Sequence, residues 1–205
     1  MAGKDLKRAR FLFALMAVVM LGALSGCKDK YAEGSKYLTD GKFREASKYY
    51  EEQLKNNPKN AVLENQLGFA SAKMGKFAKA EEHYKKALEL KPDYPEASYN
   101  LGCLYMKPPM LKLEDAIKEF DKAISLNDDY AKAYNNRGYV EANLGKFDSA
   151  VKDIEKAIAL EPDNKVYKDN LEWAKEMKEI NESLPPKQPQ TKSLAPAPAS
   201  EGKPK

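Results

Sequence analysis

The chain has 205 residues, 42% hydrophobic and 32% charged, which is enough apolar material for a packed core and excludes a globally disordered chain. Its formal charge of +4 sits at the two ends, with +3 in residues 1–26, +3 in 183–205 and −2 in 27–182, so the body lacks the basic stripe a nucleic-acid partner needs. One histidine, His83, and two cysteines, Cys27 and Cys103, assemble no convincing catalytic triad, disulfide framework or metal site, so no catalytic residue, metal or cofactor is assigned.

Residues 1–10 (MAGKDLKRAR) are basic, and residues 11–24 (FLFALMAVVMLGAL) are almost wholly apolar. As a helix this run of 14 residues spans about 21 Å, short of the ~30 Å bilayer interior. A positive start, a short apolar run and small residues after it predict a secretory signal peptide over 1–26. The stretch Leu24-Ser25-Gly26-Cys27 resembles the lipobox of bacterial lipoproteins. That resemblance implies diacylglycerol on the Cys27 thiol and cleavage before it. Two or more acyl chains anchor a protein stably, where one binds only marginally. In Gram-negative lipoproteins Asp after the Cys often retains the protein in the inner membrane. Lys28 stands there, which favours the outer membrane and its periplasmic face.

Beyond Cys27 the sequence repeats. Gly34, Gly68, Gly102 and Gly138 are separated by 34, 34 and 36 residues, and Ala46, Ala80, Ala116 and Ala150 by 34, 36 and 34. Gly-Lys-Phe recurs at 41–43, 75–77 and 145–147, and Pro58, Pro92 and Pro162 close three of the units. This resembles the tetratricopeptide repeat (TPR) family, whose units are helix-turn-helix hairpins. Four units result, 27–60, 61–94, 95–130 and 131–164. The second holds every expected marker: Leu67, Gly68, Gly75, Ala80, Tyr84, Ala87 and Pro92. Glu33, Gln53, Asp128, Arg137 and Ile154 depart from the pattern elsewhere, and the third turn has no Gly. The expected fold is all-α, a right-handed superhelix of four hairpins plus a capping helix. Small residues such as Gly68 and Ala80 let paired axes approach, and Gly75 suits the left-handed residue that ends a first helix. One hairpin buries too little surface alone, so stability comes from stacking.

The third unit is two residues longer, with Lys107-Pro108-Pro109-Met110 in its turn. This is either a tolerated loop or a rigid contact point. Residues 165–182 continue the helical pattern with a polar outer side, as a capping helix does. Residues 183–205 hold six prolines among Ser, Ala and Lys and predict a disordered tail.

In the TPR family the second, fifth, sixth, ninth, twelfth and thirteenth residues of each unit tend to line the concave face. Counted here, the fifth positions are Tyr31, Asn65, Tyr99 and Asn135, and the sixth are Gln66, Asn100, Asn136 and, in the cap, Asn170. The ninth are Ser35, Phe69, Cys103, Tyr139 and Trp173, and Lys132 fills a second position. A row of amides can bond an extended peptide backbone whatever its side chains, and aromatics beside it supply anchor area. Hydrogen bonds between helices would explain the same amides. A TPR clamp for a terminal carboxylate uses two Lys, two Asn and one Arg, of which only Asn100 and Lys132 match; Asn65, Phe69 and Asn136 hold the other places. Cys103 reads as a small packed residue, and His83, beside Glu81 and Glu82, as part of an exposed helix face.

These readings predict a membrane-anchored, extracytoplasmic adaptor that holds a protein or peptide of the cell envelope, as a pilotin or an adaptor for a peptidase or murein enzyme does. The alternative is a structural spacer or homodimerising element that uses the convex face. Unit one begins at Cys27 itself, so the superhelix is expected to sit against the lipid headgroups.

Overall fold

A computed structural model describes residues 31–184 of the protein. The signal segment, the lipobox with Cys27, and the tail from 185 onward lie outside the described residues. The described part is a succession of helices: α1 (31–39), α2 (Phe43–Asn56), α3 (Ala61–Lys73), α4 (Phe77–Leu90), α5 (Pro95–Tyr105), α6 (Leu113–Leu126), α7 (Ala131–Asn143), α8 (Phe147–Leu160) and α9 (Lys165–Ser183). Each odd-numbered helix from α1 to α7 pairs with the helix after it, each pair packs on the next, and α9 covers the last. The stack is a right-handed superhelix of TPR type.

Every hairpin is held together at one place. Ala46, Ala80, Ala116 and Ala150 are fully buried, and an aromatic or branched residue four positions later lies against the Gly of the first helix. A Cβ on Gly34 or Gly68 would lie 2.6 Å from the ring of Tyr50 or Tyr84, and one on Gly102 would lie 2.7 Å from Phe120. In the fourth hairpin Ile154 replaces the ring, and a Cβ on Gly138 would meet its side chain at 2.8 Å.

The turns also share a design, with one exception. Gly41, Gly75 and Gly145 adopt φ of 71°, 74° and 76°, where L side chains are strained. Each turn closes by a bond from the following Lys N–H to a carbonyl five residues back: Lys42 to Tyr37, Lys76 to Ser71 and Lys146 to Glu141. In the third turn Leu111 takes the Gly role at φ 42°, and Lys112 N–H reaches seven residues back to Tyr105 at 2.9 Å. The two extra residues thus lie between Tyr105 and Leu111.

Helix starts differ in an informative way. Asn60 and Asn164 cap α3 and α9 through their side-chain oxygens, which accept from Val62 N–H and Leu63 N–H, and from Val166 N–H. α5 and α7 are preceded by Tyr94 and Tyr130, which give no side-chain cap. Pro95 opens α5, where its missing N–H costs nothing. At the C-terminal end Glu172 stands 34 residues after Gly138, where the repeat would need Gly. Lys168, Lys175, Glu176 and Glu179 surround it, so this face of α9 suits water and not another helix.

The departure at Arg137 has a structural reason. It occupies the place that Leu67 and Leu101 fill in the preceding units. Its guanidinium forks onto Asp153 of α8, with Nε and Nη2 at 2.6 and 2.7 Å, and Nη1 reaches Asp121 of α6 at 2.5 Å. Asp153 is only 7% exposed, so its charge depends on this fork. Unit four thus exchanges the apolar Leu contact for an ionic tie to the hairpin before it. Arg137→Leu is expected to cost about 3 kcal/mol by stranding that carboxylate. In urea unfolding, Arg137→Leu combined with Asp153→Leu should recover most of the loss.

Candidate functional site

The concave face carries two neighbouring cavities. The first, of 440 Å³, is lined by Phe69, Ala72, Lys73, Tyr84, Tyr99, Asn100, Cys103, Leu104, Met106, Lys107, Pro108, Asn136 and Tyr139. The second, of 480 Å³, runs from Ser35, Leu38 and Thr39 past Asn65, Gln66 and Glu96 to Tyr130 and Lys132. Phe69, Tyr99 and Asn100 line both, so they form one continuous groove. Of the residues expected from the sequence, Asn65, Gln66, Phe69, Tyr99, Asn100, Lys132, Asn136 and Tyr139 come together there. Trp173 extends the aromatic row by packing on Tyr139 with ring centroids 5.2 Å apart. Asn135, Asn170 and Tyr31 line neither cavity; the Tyr31 hydroxyl instead accepts from Asn60 Nδ2 at 3.0 Å.

The amides are largely engaged with one another. Asn170 donates to Asn135 Oδ1 at 2.9 Å, Asn135 to Asn136 Oδ1 at 3.2 Å, and Asn136 to the Tyr99 hydroxyl at 3.2 Å and the Cys103 sulfur at 3.3 Å. Asn100 donates to Asn65 Oδ1 at 3.0 Å. Each sixth-position Asn therefore clasps the fifth-position residue of the unit before it, and these bonds fix the register between repeats. Gln66 is the exception. Tyr31, the residue it would clasp, is bonded to Asn60, and no protein partner for Gln66 is found among the described residues. Its amide, with the remaining donor and acceptor capacity of Asn100, is the part of the row open to a ligand.

Several groove residues escaped the count along the sequence. Lys73 and Lys107 occupy thirteenth positions, one of the rows that tend to line the concave face, so the same register holds them. Tyr94 and Tyr130 end their units and enter the groove as walls, with Tyr130 packed on Tyr99 at 5.0 Å. His83 differs from expectation: its Nδ1 lies 2.8 Å from Oε2 of Glu64, which is fully buried, and Lys86 approaches the other oxygen at 2.5 Å. Positions 19 residues apart gave no sequence signal for this pair. Among the described residues no group of three His, Cys, Asp or Glu side chains is placed to hold a metal.

The model of the TPR repeat matches residues 72–107 and 112–145, and that of the tetratricopeptide repeat matches 131–164; the break at 108–111 falls on the lengthened third turn. The crystal structure of MamA protein aligns over 76% of this chain and 84% of that one, at 30% identity and a TM-score of 0.63. The chain belongs to the tetratricopeptide repeat family. This TPR chain is also similar to the first TPR of Spaghetti (RPAP3) bound to an HSP90 peptide, SRMEEVD, at 29% identity over 57% of this chain and 91% of that one, with a TM-score of 0.55. The Hsp70-Hsp90 organising protein of Plasmodium falciparum is 30% identical over 54% of this chain and 46% of its own length. The chain spans less than half the length of the curated relatives it matches. TPR proteins mediate protein–protein interactions.

Cys103 reports on the groove floor. Burial pushes its thiol pKa up, against the hydrogen bonds of Tyr99 and Asn136 and the positive fields of Lys107 and Lys73. A raised pKa leaves less thiolate at pH 8 than a free thiol has. Iodoacetamide at pH 8 should therefore alkylate the Cys103 peptide at least tenfold more slowly in the native protein than in urea, as read by mass spectrometry. Equal rates would contradict the half-buried position.

Proposed function

We propose that this TPR protein is a lipid-anchored adaptor outside the cytoplasm, at the periplasmic face of the outer membrane, where it holds an extended segment of an envelope protein in its concave groove. The observation that carries the reading is the continuous groove itself: two cavities above 400 Å³ that share Phe69, Tyr99 and Asn100, walled by aromatics and supplied with the open amide of Gln66. Rigid aromatic area gives anchor energy, and amides read backbone without demanding a sequence. The RPAP3 structure, with a peptide bound to a TPR of similar fold, supports the use of such a fold for peptide binding. Recognition of a terminal carboxylate is not part of the reading, because Asn65, Phe69 and Asn136 stand where a clamp would need Lys, Asn and Arg. The anchor rests on Leu24-Ser25-Gly26-Cys27 and the basic-apolar segment before it.

Two measurements on cells test the parts separately. An alkyne-tagged fatty acid fed to the cells should label the protein, and Cys27→Ser should abolish the label; an unlabelled wild-type protein contradicts the anchor. A photo-crosslinking residue at Phe69 or Tyr139 should trap one envelope protein in intact cells, and Tyr139→Ala should reduce the yield from Phe69 several-fold without lowering the melting temperature. Crosslinks obtained only from Leu126, at the end of α6, would favour a scaffold working through its other face.

A further inference from the structure

Resting on the groove reading, we infer that the lengthened third turn builds a docking pocket for an internal protein segment that carries a bulky apolar side chain next to a carboxylate. The other turns close five residues back, whereas this one closes seven back, from Lys112 to Tyr105. Lys107 and Pro108 of this turn line the 440 Å³ cavity. Phe69, Cys103 and Tyr139, the last 38% exposed, line it as well. The volume falls within the ~300–1,000 Å³ of ligand-sized clefts.

Two features set the chemistry of the occupant. Most of the lining is soft and apolar, made of ring faces, the Cys103 thiol and the Pro108 ring, beside the amides of Asn100 and Asn136. Such a surface gains most from covering a side chain of Phe, Leu or Met type. The mouth is cationic. Lys73 lies over the Phe69 ring at 5.2 Å from its centroid, and neither Lys73 nor Lys107 has a carboxylate partner among the described residues. Both lysines line the cavity. Unneutralised cations at the edge of an apolar cleft attract a segment with a carboxylate beside its anchor and repel one with a lysine or arginine there. Lys73 belongs to the second unit and Lys107 to the third, and Asn65, Phe69 and Asn136 stand where a clamp for a terminal carboxylate would need Lys, Asn and Arg, so the segment is internal.

The test pans the full-length protein, in detergent, against random twelve-residue inserts displayed within a loop of a carrier, so that both insert ends are covalently closed. Enriched inserts should place Phe, Leu or Met within two residues of Asp or Glu. Lys73→Glu with Lys107→Glu should weaken the best insert at least tenfold at unchanged melting temperature. Deletion of Pro108 and Pro109, which restores the 34-residue spacing, should do the same. Inserts that are basic or lack the apolar–acidic pair, yet are lost on Tyr139→Ala, would overturn this inference and leave the groove reading standing. Binding only by peptides with a free C-terminus would likewise overturn it. No insert sensitive to Tyr139→Ala would overturn both.

Discussion

A gap no wider than a methyl group governs this molecule. In each hairpin the first helix presents a glycine to an aromatic or branched side chain of the second, and a Cβ there would sit 2.6 to 2.8 Å from it. Close-packed interiors do not absorb such an overlap without moving side chains or backbone. The contact therefore sets how near the paired axes lie and how far the first helices protrude to line the concave face. In the third hairpin the link to the groove is direct: Phe120, which covers Gly102, packs on Tyr99 with ring centroids 5.9 Å apart, and Tyr99 lines both cavities.

Above that level the stack is held in register by polar ties between neighbouring units. The chain of amides from Asn170 through Asn135 and Asn136 to Tyr99 spans three first helices, and Asn100 repeats the motif on Asn65. Arg137 adds an ionic tie between the last two hairpins. Half-buried hydrogen bonds of this kind are costly to leave unmade, so they favour one stacking geometry over slipped ones. The groove is thus preorganised by bonds that themselves lie in its wall, which lowers the ordering cost of binding.

Much of this was legible in the residue order, because a 34-residue period puts equivalent residues in equivalent places. The Gly and Ala steps fixed the hairpins, and counting the fifth, sixth and ninth rows reached most of the groove. Periodicity could not tell whether an Asn faces a ligand or the next helix. That depends on a distance between units, and the structure places Asn136 and Asn170 against neighbouring helices. Nor could it expose pairs formed across a hairpin, such as Glu64 with His83 or Arg137 with Asp153, whose partners are set by helix crossing and not by spacing. Lys73 and Lys107 lie in the thirteenth row of the register, but charges on helices of this kind are usually solvated, so the spacing alone gives no sign that they line a cavity.

The most direct measurement of the central claim is a double-mutant cycle between Gly102 and Phe120 in urea unfolding. Gly102→Ala should cost about 2 kcal/mol, despite the better helix propensity of alanine, because the new methyl has no space beneath the ring. Phe120→Leu should then cost clearly less in the alanine background than in the parent, since it relieves the overlap. A Gly102→Ala protein more stable than its parent, with additive effects of the two substitutions, would contradict the claim.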